Sequence, residues 1–337
     1  MNLELSIRLR RSAMAKLFSS FVGRMSYCYS KCLAMIFQSK GDNQPLPFIE
    51  CISTAPFGFV YEPEDGGGFA VNGYNPHVSV GRALKLLRYD NEFRSFSNCD
   101  EALRFLRRIL EKDVALIGPL DMGFLTYDPY RKFKLGSDHY VVATEVIGEQ
   151  IVVSDPDGYV HVPTPITDFL KAWRADRIRY KHGPYSLRTI GGRRGKVSKE
   201  DIYETTLRLG LRNLREKREV RRANRILYCT GFKAIERLAE DIRRKRSSRW
   251  LRFYSTFTFR VSAQKCFDSS LFIREAPFMN RDLSMASETR MTQARLYSDA
   301  QLHGAMSSFS QVSRTLLAIS QLEDEFEKQL ALGLAKV

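Results

Sequence analysis

Residues 140–162, YVVATEVIGEQIVVSDPDGYVHV, decide the fold class of this chain. Residues that favour β-strands, mostly β-branched and aromatic, occur here in three short runs, at 140–146, 151–155 and 159–162. The runs are separated by Gly148 and by the Pro-Asp-Gly segment 156–158, which are typical of tight turns. Because consecutive strands joined by tight turns pair antiparallel, the stretch predicts an antiparallel meander.

Helical patterns and one further strand surround the meander. The segment 98–110, NCDEALRFLRRIL, places apolar residues on one helix face and begins with Asn98, a favourable N-cap. HVSVGRALKLL (77–87) and TPITDFLKAWRAD (164–176) also predict helices, whereas VALIG (114–118) predicts a strand. Residues 46–192 are therefore predicted to form an α+β domain.

The rest of the chain divides at changes in composition. The polar, Pro-containing segment SKGDNQPLP (39–47) is typical of a linker, so residues 1–45 are interpreted as a basic N-terminal extension. Residues 193–337 show helical periodicity without a strand signal, beginning with a cap at Ser198. We therefore expect a basic extension, an α+β domain and an all-helical domain.

Composition excludes several classes of protein. The chain has 337 residues, of which 44% are hydrophobic and 27% charged, so it is not intrinsically disordered. No apolar run approaches the roughly 20 residues that span a bilayer. The six cysteines lack paired spacing, which favours free thiols in the cytoplasm over a secreted disulfide scaffold or a zinc site. The sequence predicts neither a metal nor a cofactor.

The net charge of +15 is concentrated in one stretch. Residues 51–170 contain 11 Lys/Arg and 17 Asp/Glu, a net charge of −6, whereas residues 171–250 contain 25 and 9, a net charge of +16. Such a stretch suits an acidic protein or a nucleic acid, although a basic run is most often a solvated helix face. The candidate docking residues are Arg215, Lys217, Arg218, Arg221, Arg222, Arg243, Arg244, Lys245 and Arg246.

One set of residues can support catalysis. Cys51 begins the predicted α+β domain, His139 begins one strand of the meander and Asp155 ends the next. The spacing of 16 residues from His139 to Asp155 brings both to the same edge of a hairpin. A catalytic thiol needs an imidazole to take its proton, and the imidazole needs a carboxylate to fix its tautomer. The structural alternative is a buried cysteine and a turn aspartate, and His161 is a second candidate base.

A resemblance supports the catalytic interpretation. Residues 114–162, together with PFIECIST (47–54) and C-terminal segments such as RFYSTFTFR (252–260) and LLAISQLEDEFEKQL (316–330), resemble the butirosin-pathway acyltransferase family. The resemblance covers roughly residues 46–333 and implies a papain-like domain with an associated helical domain.

The resemblance also implies roles for individual residues. It makes Cys51 the nucleophile, His139 the base and Asp155 its orienting partner, with Gln44 as the candidate oxyanion donor. Asp121 and Tyr127 match a further segment of the family.

The function implied is acyl transfer in natural-product (antibiotic) biosynthesis. An acyl group would move from the thioester of an acidic acyl carrier protein to the enzyme cysteine, and then to an amine of a small molecule. A cysteine peptidase or amidase with the same triad is chemically close to this function. Two functions of different classes also fit the sequence: a nucleic-acid-binding protein that uses the basic stretch, and a scaffold without turnover.

Overall fold

The computed structural model describes residues 26–73, 75–216, 219–222 and 225–337. The helices are α1 (Cys28–Ser39), α2 (Leu46–Ile52), α3 (Pro76–Leu86), α4 (Cys99–Leu110), α5 (Ile166–Arg174), α6 (Lys199–Arg215), α7 (Phe232–Lys245), α8 (Ser248–Phe253), α9 (Phe259–Arg274), α10 (Arg281–Ala305) and α11 (Phe309–Leu334). The strands are β1 (Phe59–Glu64), β2 (Gly67–Asn72), β3 (Tyr89–Arg94), β4 (Ala115–Asp121), β5 (Asp138–Ile147), β6 (Gln150–Asp155), β7 (Tyr159–Pro165), β8 (Leu187–Arg193), β9 (Glu219–Arg222) and β10 (Arg225–Thr230). The architecture is α+β, as predicted.

A six-stranded antiparallel sheet, in the order β3-β8-β4-β5-β6-β7, contains the predicted meander. Ile147 pairs with Gln150 at the β5–β6 turn, where Gly148 has a φ of 54°, a conformation that favours glycine. The meander β5-β6-β7 is confirmed.

Helices cover both faces of this sheet. On one face, α1 packs against β5, and its Leu33 and Phe37 join a core cluster with Val142. On the other face, α4 and α5 contribute a second cluster that includes Phe169 and Trp173. Both faces of the central strands are therefore buried.

Local capping agrees with the sequence. The side chain of Asn98 accepts hydrogen bonds from the backbone N–H groups of Asp100 and Glu101, and so caps α4. The hydroxyl of Ser198 accepts the N–H of Asp201 at the start of α6. Both predicted caps are confirmed.

The predicted N-terminal boundary is wrong for the described part of residues 1–45. Helix α1 is an integral core element, because Cys32, Leu33 and Phe37 are fully buried and Phe37 stacks on Tyr89 with ring centroids 4.5 Å apart. The segment taken for a linker is also fixed, since Asp42 accepts a hydrogen bond from the Tyr89 hydroxyl. Residues 1–25 of the predicted extension lie outside the described residues.

A second sheet corrects the boundary at residue 193. Its order is β2-β1-β10-β9, so β1 from the first half pairs antiparallel with β10 from the second. The C-terminal half is thus not all-helical, because β9 and β10 precede α7. From Phe232 onward the chain is helical, as predicted. The shared sheet and the cores that mix both halves make residues 46–192 and 193–337 one interdependent unit.

The helices α7 to α11 pack on the second sheet and on one another. Phe59 and Tyr61 of β1 join a core cluster with Leu238 of α7 and Tyr297 of α10. Among the described residues, no helix combines the length and the apolar composition needed to cross a membrane.

Candidate active site

The start of β5 and the end of β6 meet at one edge of the six-stranded sheet and place His139 beside Asp155. His139 Nε2 lies 2.8 Å from Asp155 Oδ1, and both side chains are buried. The structure therefore brings together two of the three residues singled out for catalysis. Since Nε2 faces the carboxylate, Nδ1 is the nitrogen available to a second partner.

Asp155 is held by further hydrogen bonds. Its Oδ1 also accepts the backbone N–H of Asp157 at 2.7 Å, and its Oδ2 accepts the hydroxyl of Tyr127 at 2.8 Å. Burial by itself would raise the pKa of Asp155, but the bonds from His139, Asp157 and Tyr127 outweigh burial and lower it. Asp155 is thus a fixed carboxylate oriented toward the imidazole. Tyr127, which the resemblance had suggested, is part of this site.

The thiol of Cys28 also lies close enough to the imidazole to affect the pKa of His139. Burial opposes a charge on the imidazole, yet the hydrogen bond with Asp155 and the nearby thiol of Cys28 together raise the pKa of His139 to about 10. The protonated imidazole is therefore the favoured form at neutral pH. An imidazolium between a carboxylate and a thiol is the arrangement that supports a thiolate nucleophile.

Helix α1 gives Cys28 its position. Cys28 is the first residue of α1, and the N–H groups of a first helical turn have no partner within the helix and carry a partial positive charge. This end of α1 is fixed to the sheet edge, because Tyr29 packs edge-on against Tyr140 and Lys31 Nζ donates to the Pro156 carbonyl at 3.1 Å. The sulfur of Cys28 is half-buried there.

Cys51, the predicted nucleophile, is placed elsewhere. It lies in the last turn of α2 and is fully buried in the core cluster that includes Ile49 and Ile52. Burial, followed by the nearby carboxylates of Asp268 and Glu50, raises the pKa of its thiol well above the ordinary value. A buried thiol with that environment is a small apolar core residue, and the cysteine that faces His139 is Cys28.

Gln44 is also not at the site. Its Nε2 donates to Asp42 Oδ1 at 2.5 Å, and Asp42 in turn is bound to Tyr89 and Arg193 near β3 and β8. The donors next to the sulfur of Cys28 are instead the backbone N–H groups of the first turn of α1.

The other residues weighed for the site have structural surroundings. Oδ1 of Asp121 accepts the N–H groups of Gly123 and Gly136 and so closes the loop after β4. His161 is exposed on β7 with a φ of 46°. His161 is therefore not the base.

Three groups in this area could hold a metal ion. One ligand atom from each of His139, Asp155 and Asp157 lies within 4.8 Å of the others. Two of these groups are already hydrogen-bonded, since Asp155 Oδ1 bonds His139 and also accepts the N–H of Asp157. In addition, the Lys134 ammonium lies 3.6 Å from Asp157 Oδ2 and would repel a cation. His139, Asp155 and Asp157 are therefore better suited to hydrogen bonding than to binding a metal ion.

Some of the predicted docking residues are paired, one is exposed and the side chains of the others are not described. On α7, Arg244 and Lys245 lie 3.5 and 2.9 Å from the buried carboxylate of Asp241, and the Arg246 guanidinium sits 5.4 Å above the Phe309 ring. Asp241 also accepts the Tyr61 hydroxyl, so part of this basic run stabilises the contact between α7 and the second sheet.

The other six docking residues are Arg243 and five between 215 and 222. Arg215 is 3.7 Å from Glu327, and Arg243 is exposed on α7. Lys217 and Arg218 lie outside the described residues, as do the side chains of Arg221 and Arg222 on β9.

Two comparisons with known proteins bear on this chain. Residues 227–331 match the family model described as the YobF C-terminal domain. The chain is 28% identical over 313 residues to the Bacillus subtilis (strain 168) protein named Uncharacterized protein YobF, and the alignment covers 92% of this chain and 97% of that protein. The chain is thus similar to YobF along nearly its whole length, and the matched family model corresponds to the region from β10 to α11.

Proposed function

We propose that this protein is a cysteine-dependent acyltransferase whose nucleophile is Cys28. The observation that carries the proposal is His139, whose ring is bonded to the Asp155 carboxylate and lies near the thiol at the start of α1. An acyl-transfer enzyme of this type needs a thiolate, a base that can return the proton and a carboxylate that orients the base. These three groups meet at one edge of the sheet.

The proposed reaction has two steps. The Cys28 thiolate attacks the carbonyl carbon of a donor thioester, and the bond from that carbon to the donor sulfur breaks as the imidazolium of His139 protonates the departing thiolate. A new thioester with Cys28 remains. An acceptor amine then attacks this thioester, neutral His139 takes the amine proton, and Cys28 leaves as the thiolate, so that the imidazolium–thiolate pair is restored.

The fold supports assigning the protein to the papain-like class. A helix with cysteine at its N-terminus packs against an antiparallel sheet that supplies histidine and aspartate from adjacent strands. Similarity to the butirosin-pathway acyltransferase family, with Cys28 in place of Cys51 as nucleophile, is part of the same proposal.

The donor and acceptor are proposed from the resemblance. The donor is proposed to be a thioester on an acidic carrier protein, which the net charge of +15 would attract. The acceptor is proposed to be an amine. Water as the acceptor would instead make the protein a peptidase or amidase, because the covalent intermediate is the same.

Intact-protein mass spectrometry after incubation with acyl-thioester donors, both carrier-bound and small, tests the proposal. Wild-type protein and Cys51→Ala should gain one acyl mass, whereas Cys28→Ala should not. Cys51→Ala is the matched control, since it removes a thiol from the core cluster on which Cys28 packs without touching the triad. If Cys28→Ala still gains the acyl mass, Cys28 is not the nucleophile. If EDTA abolishes acylation of the wild type, a metal enzyme is favoured instead. Adding amines or water alone to the acylated protein then separates transferase from hydrolase.

Charge reversal tests the carrier-bound donor. Arg243→Glu should raise the apparent KM for the carrier-bound donor more than for the small thioester, and added salt should have the same effect. Arg104→Glu, on the exposed face of α4, is the matched control. Equal changes with both donors, or a salt-sensitive loss of DNA binding instead, would contradict carrier docking.

A further inference from the structure

The residues on both sides of Cys28 are held by buried carboxylates from distant parts of the chain. The hydroxyl of Tyr27, just before Cys28, donates to Asp268 Oδ2 at 2.8 Å, and Asp268 lies on α9 in the helical region. Tyr29, just after Cys28, donates to Glu50 Oε1 at 3.1 Å. The backbone of Cys28 is thus fixed on either side by a side-chain hydrogen bond.

Glu50 holds a second residue of the same helical turn. Its Oε2 accepts the hydroxyl of Ser30 at 2.6 Å, so both oxygens of a fully buried carboxylate bond to α1. Both bonds are made on the first turn of the helix. A carboxylate used in this way sets the position of the helix start relative to α2.

Lys265 supplies the positive charge that lets this carboxylate be buried. Its Nζ lies 3.1 Å from Glu50 Oε1, donates to the Asn72 carbonyl at 2.8 Å and sits 5.8 Å from the centre of the Tyr27 ring. Lys265 and Asp268 are on successive turns of one face of α9. Because a lone buried charge is strongly disfavoured, Lys265 and Glu50 depend on each other.

The cluster contains two carboxyl groups and one ammonium group. Burial is the main reason why the pKa of Asp268 rises to about 7, against the hydrogen bonds from Tyr27 and Gln264 and the charge of Lys265, while the Glu50 charge adds to the rise. With Asp268 protonated the cluster is neutral. With Asp268 ionised it holds one uncompensated negative charge beside Tyr27.

We propose that Lys265 and Asp268 are positioning residues for Cys28, acting with Glu50 through Tyr27, Tyr29 and Ser30. The inference rests on the proposed role of Cys28, and it gives the region that resembles the YobF C-terminal domain a part in the site: its helix α9 holds the nucleophile in place. Neither side chain touches the reacting atoms. Their effect is on the geometry of Cys28 relative to His139.

The rate at which iodoacetamide alkylates Cys28 tests the positioning role without requiring a known substrate. Tyr27→Phe removes one hydroxyl and keeps the ring, and Lys265→Met and Asp268→Asn remove charges. We expect about a tenfold slower alkylation of Cys28 in Lys265→Met and a smaller reduction in Tyr27→Phe, because a displaced thiol loses its contact with the imidazolium. Peptide mapping assigns the label to Cys28.

Tyr254→Phe is the matched control. Tyr254 is equally buried, and its hydroxyl donates to the Gly68 carbonyl at 2.8 Å in a different core cluster. It should lose a comparable amount of stability while Cys28 keeps the wild-type alkylation rate. Equal slowing in both tyrosine variants, or no slowing in Tyr27→Phe and Lys265→Met when both are folded, would overturn the inference.

The pH profile gives a readout that a purely structural role would not change. The wild-type alkylation rate should show a step near pH 7 as Asp268 ionises beside Tyr27, Gln264, Lys265 and Glu50. Asp268→Asn should lack this step, and its persistence there would count against Asp268. If the alkylation of Cys28 shows the expected dependence on Lys265, Tyr27 and Asp268 but thioesters never acylate Cys28, the proposed function is contradicted. The positioning role then still stands.

Discussion

His139 Nε2 lies 2.8 Å from Asp155 Oδ1, and the same oxygen accepts the N–H of Asp157 at 2.7 Å. The backbone N–H of Asp157 therefore helps to orient the Asp155 carboxylate toward the imidazole of His139. This fixes the orientation of the His139 ring.

Asp155→Asn should reduce acyl-enzyme formation by about 10³- to 10⁴-fold with little change in fold, because the amide no longer holds the imidazole in the required protonation state. The rate of Cys28 acylation, followed by mass spectrometry, measures this. Asp157→Asn is the control, since its carboxylate faces Lys134 at 3.6 Å. A loss as large in Asp157→Asn would favour the metal interpretation.

The stability supplied by His139 should fall as the pH rises. Its pKa is raised from 6.5 to about 10, so the folded state binds this proton more tightly than the unfolded chain does. The contribution is complete below pH 6.5 and is lost as the pH rises through 10. Urea unfolding of wild type and His139→Gln should therefore show a difference in free energy that is largest near pH 6 and shrinks toward pH 10. A difference independent of pH would contradict the raised pKa.

Gly67→Ala should destabilise the protein by about 1–3 kcal/mol, since overpacking a buried contact costs that much. A Cβ at this position in β2 would overlap the Cγ and Cδ1 atoms of the Trp250 ring. Thermal unfolding measures the effect. Gly192→Ala in β8, where nothing lies within 4 Å of the added carbon, should change stability little.

Arg290→Met should cost about 3–5 kcal/mol, because it leaves the Glu323 carboxylate buried without its partner. Arg290 Nη1 lies 2.7 Å from Glu323 Oε2, and the guanidinium sits 3.8 Å from the centre of the Phe326 ring. The comparison is the more exposed Lys328–Asp324 ion pair, which lies on the same helix as Glu323, α11. Lys328→Met should leave the unfolding midpoint nearly unchanged. Similar losses in the two variants would show that burial does not decide the strength of these pairs.

The pairing of His139 with Asp155 could be predicted from sequence because it is local. The two residues belong to adjacent strands joined by a two-residue turn at Gly148, so strand period and turn position are enough to bring them to one edge. The same reasoning gave the meander and the capped helix α4. Each depends on interactions within about 20 residues.

The proposed nucleophile could not be found in this way because Cys28 and Cys51 both precede apolar residues. A polar segment at 39–47 suggested a boundary, and Cys28 fell outside the predicted domain. A signal was present nonetheless: Cys28, Cys32 and Ile36 recur every four residues, with Leu33 and Phe37 beside them. This pattern predicts a buried helix that begins at Cys28. What it does not predict is the sheet edge that the helix meets.

Strands β9 and β10 were missed for a related reason. The arginine-rich sequence at 215–225 favours an exposed helix. Strand β10 is instead stabilised by its pairing with β1, in which Cys229 lies opposite Tyr61. A partner so far away in the sequence leaves no trace in local periodicity. Tertiary pairing overrode local propensity here.

The distant pairing of β1 with β10 has a consequence during synthesis on the ribosome. Tyr61 and Cys229 are 168 residues apart, so at about 5–20 residues per second the hydrogen-bonding edge of β1 waits roughly 8–35 s for its neighbour. An unpaired edge of that kind is prone to join the edge of another nascent chain. Only Val60 and Tyr61 of β1 pair with β10. Strand β1 then continues as Glu62-Pro63-Glu64, where two negative charges and a proline without an N–H discourage pairing with another chain. The sequence of β1 thus carries its own protection for the interval before its neighbour is made.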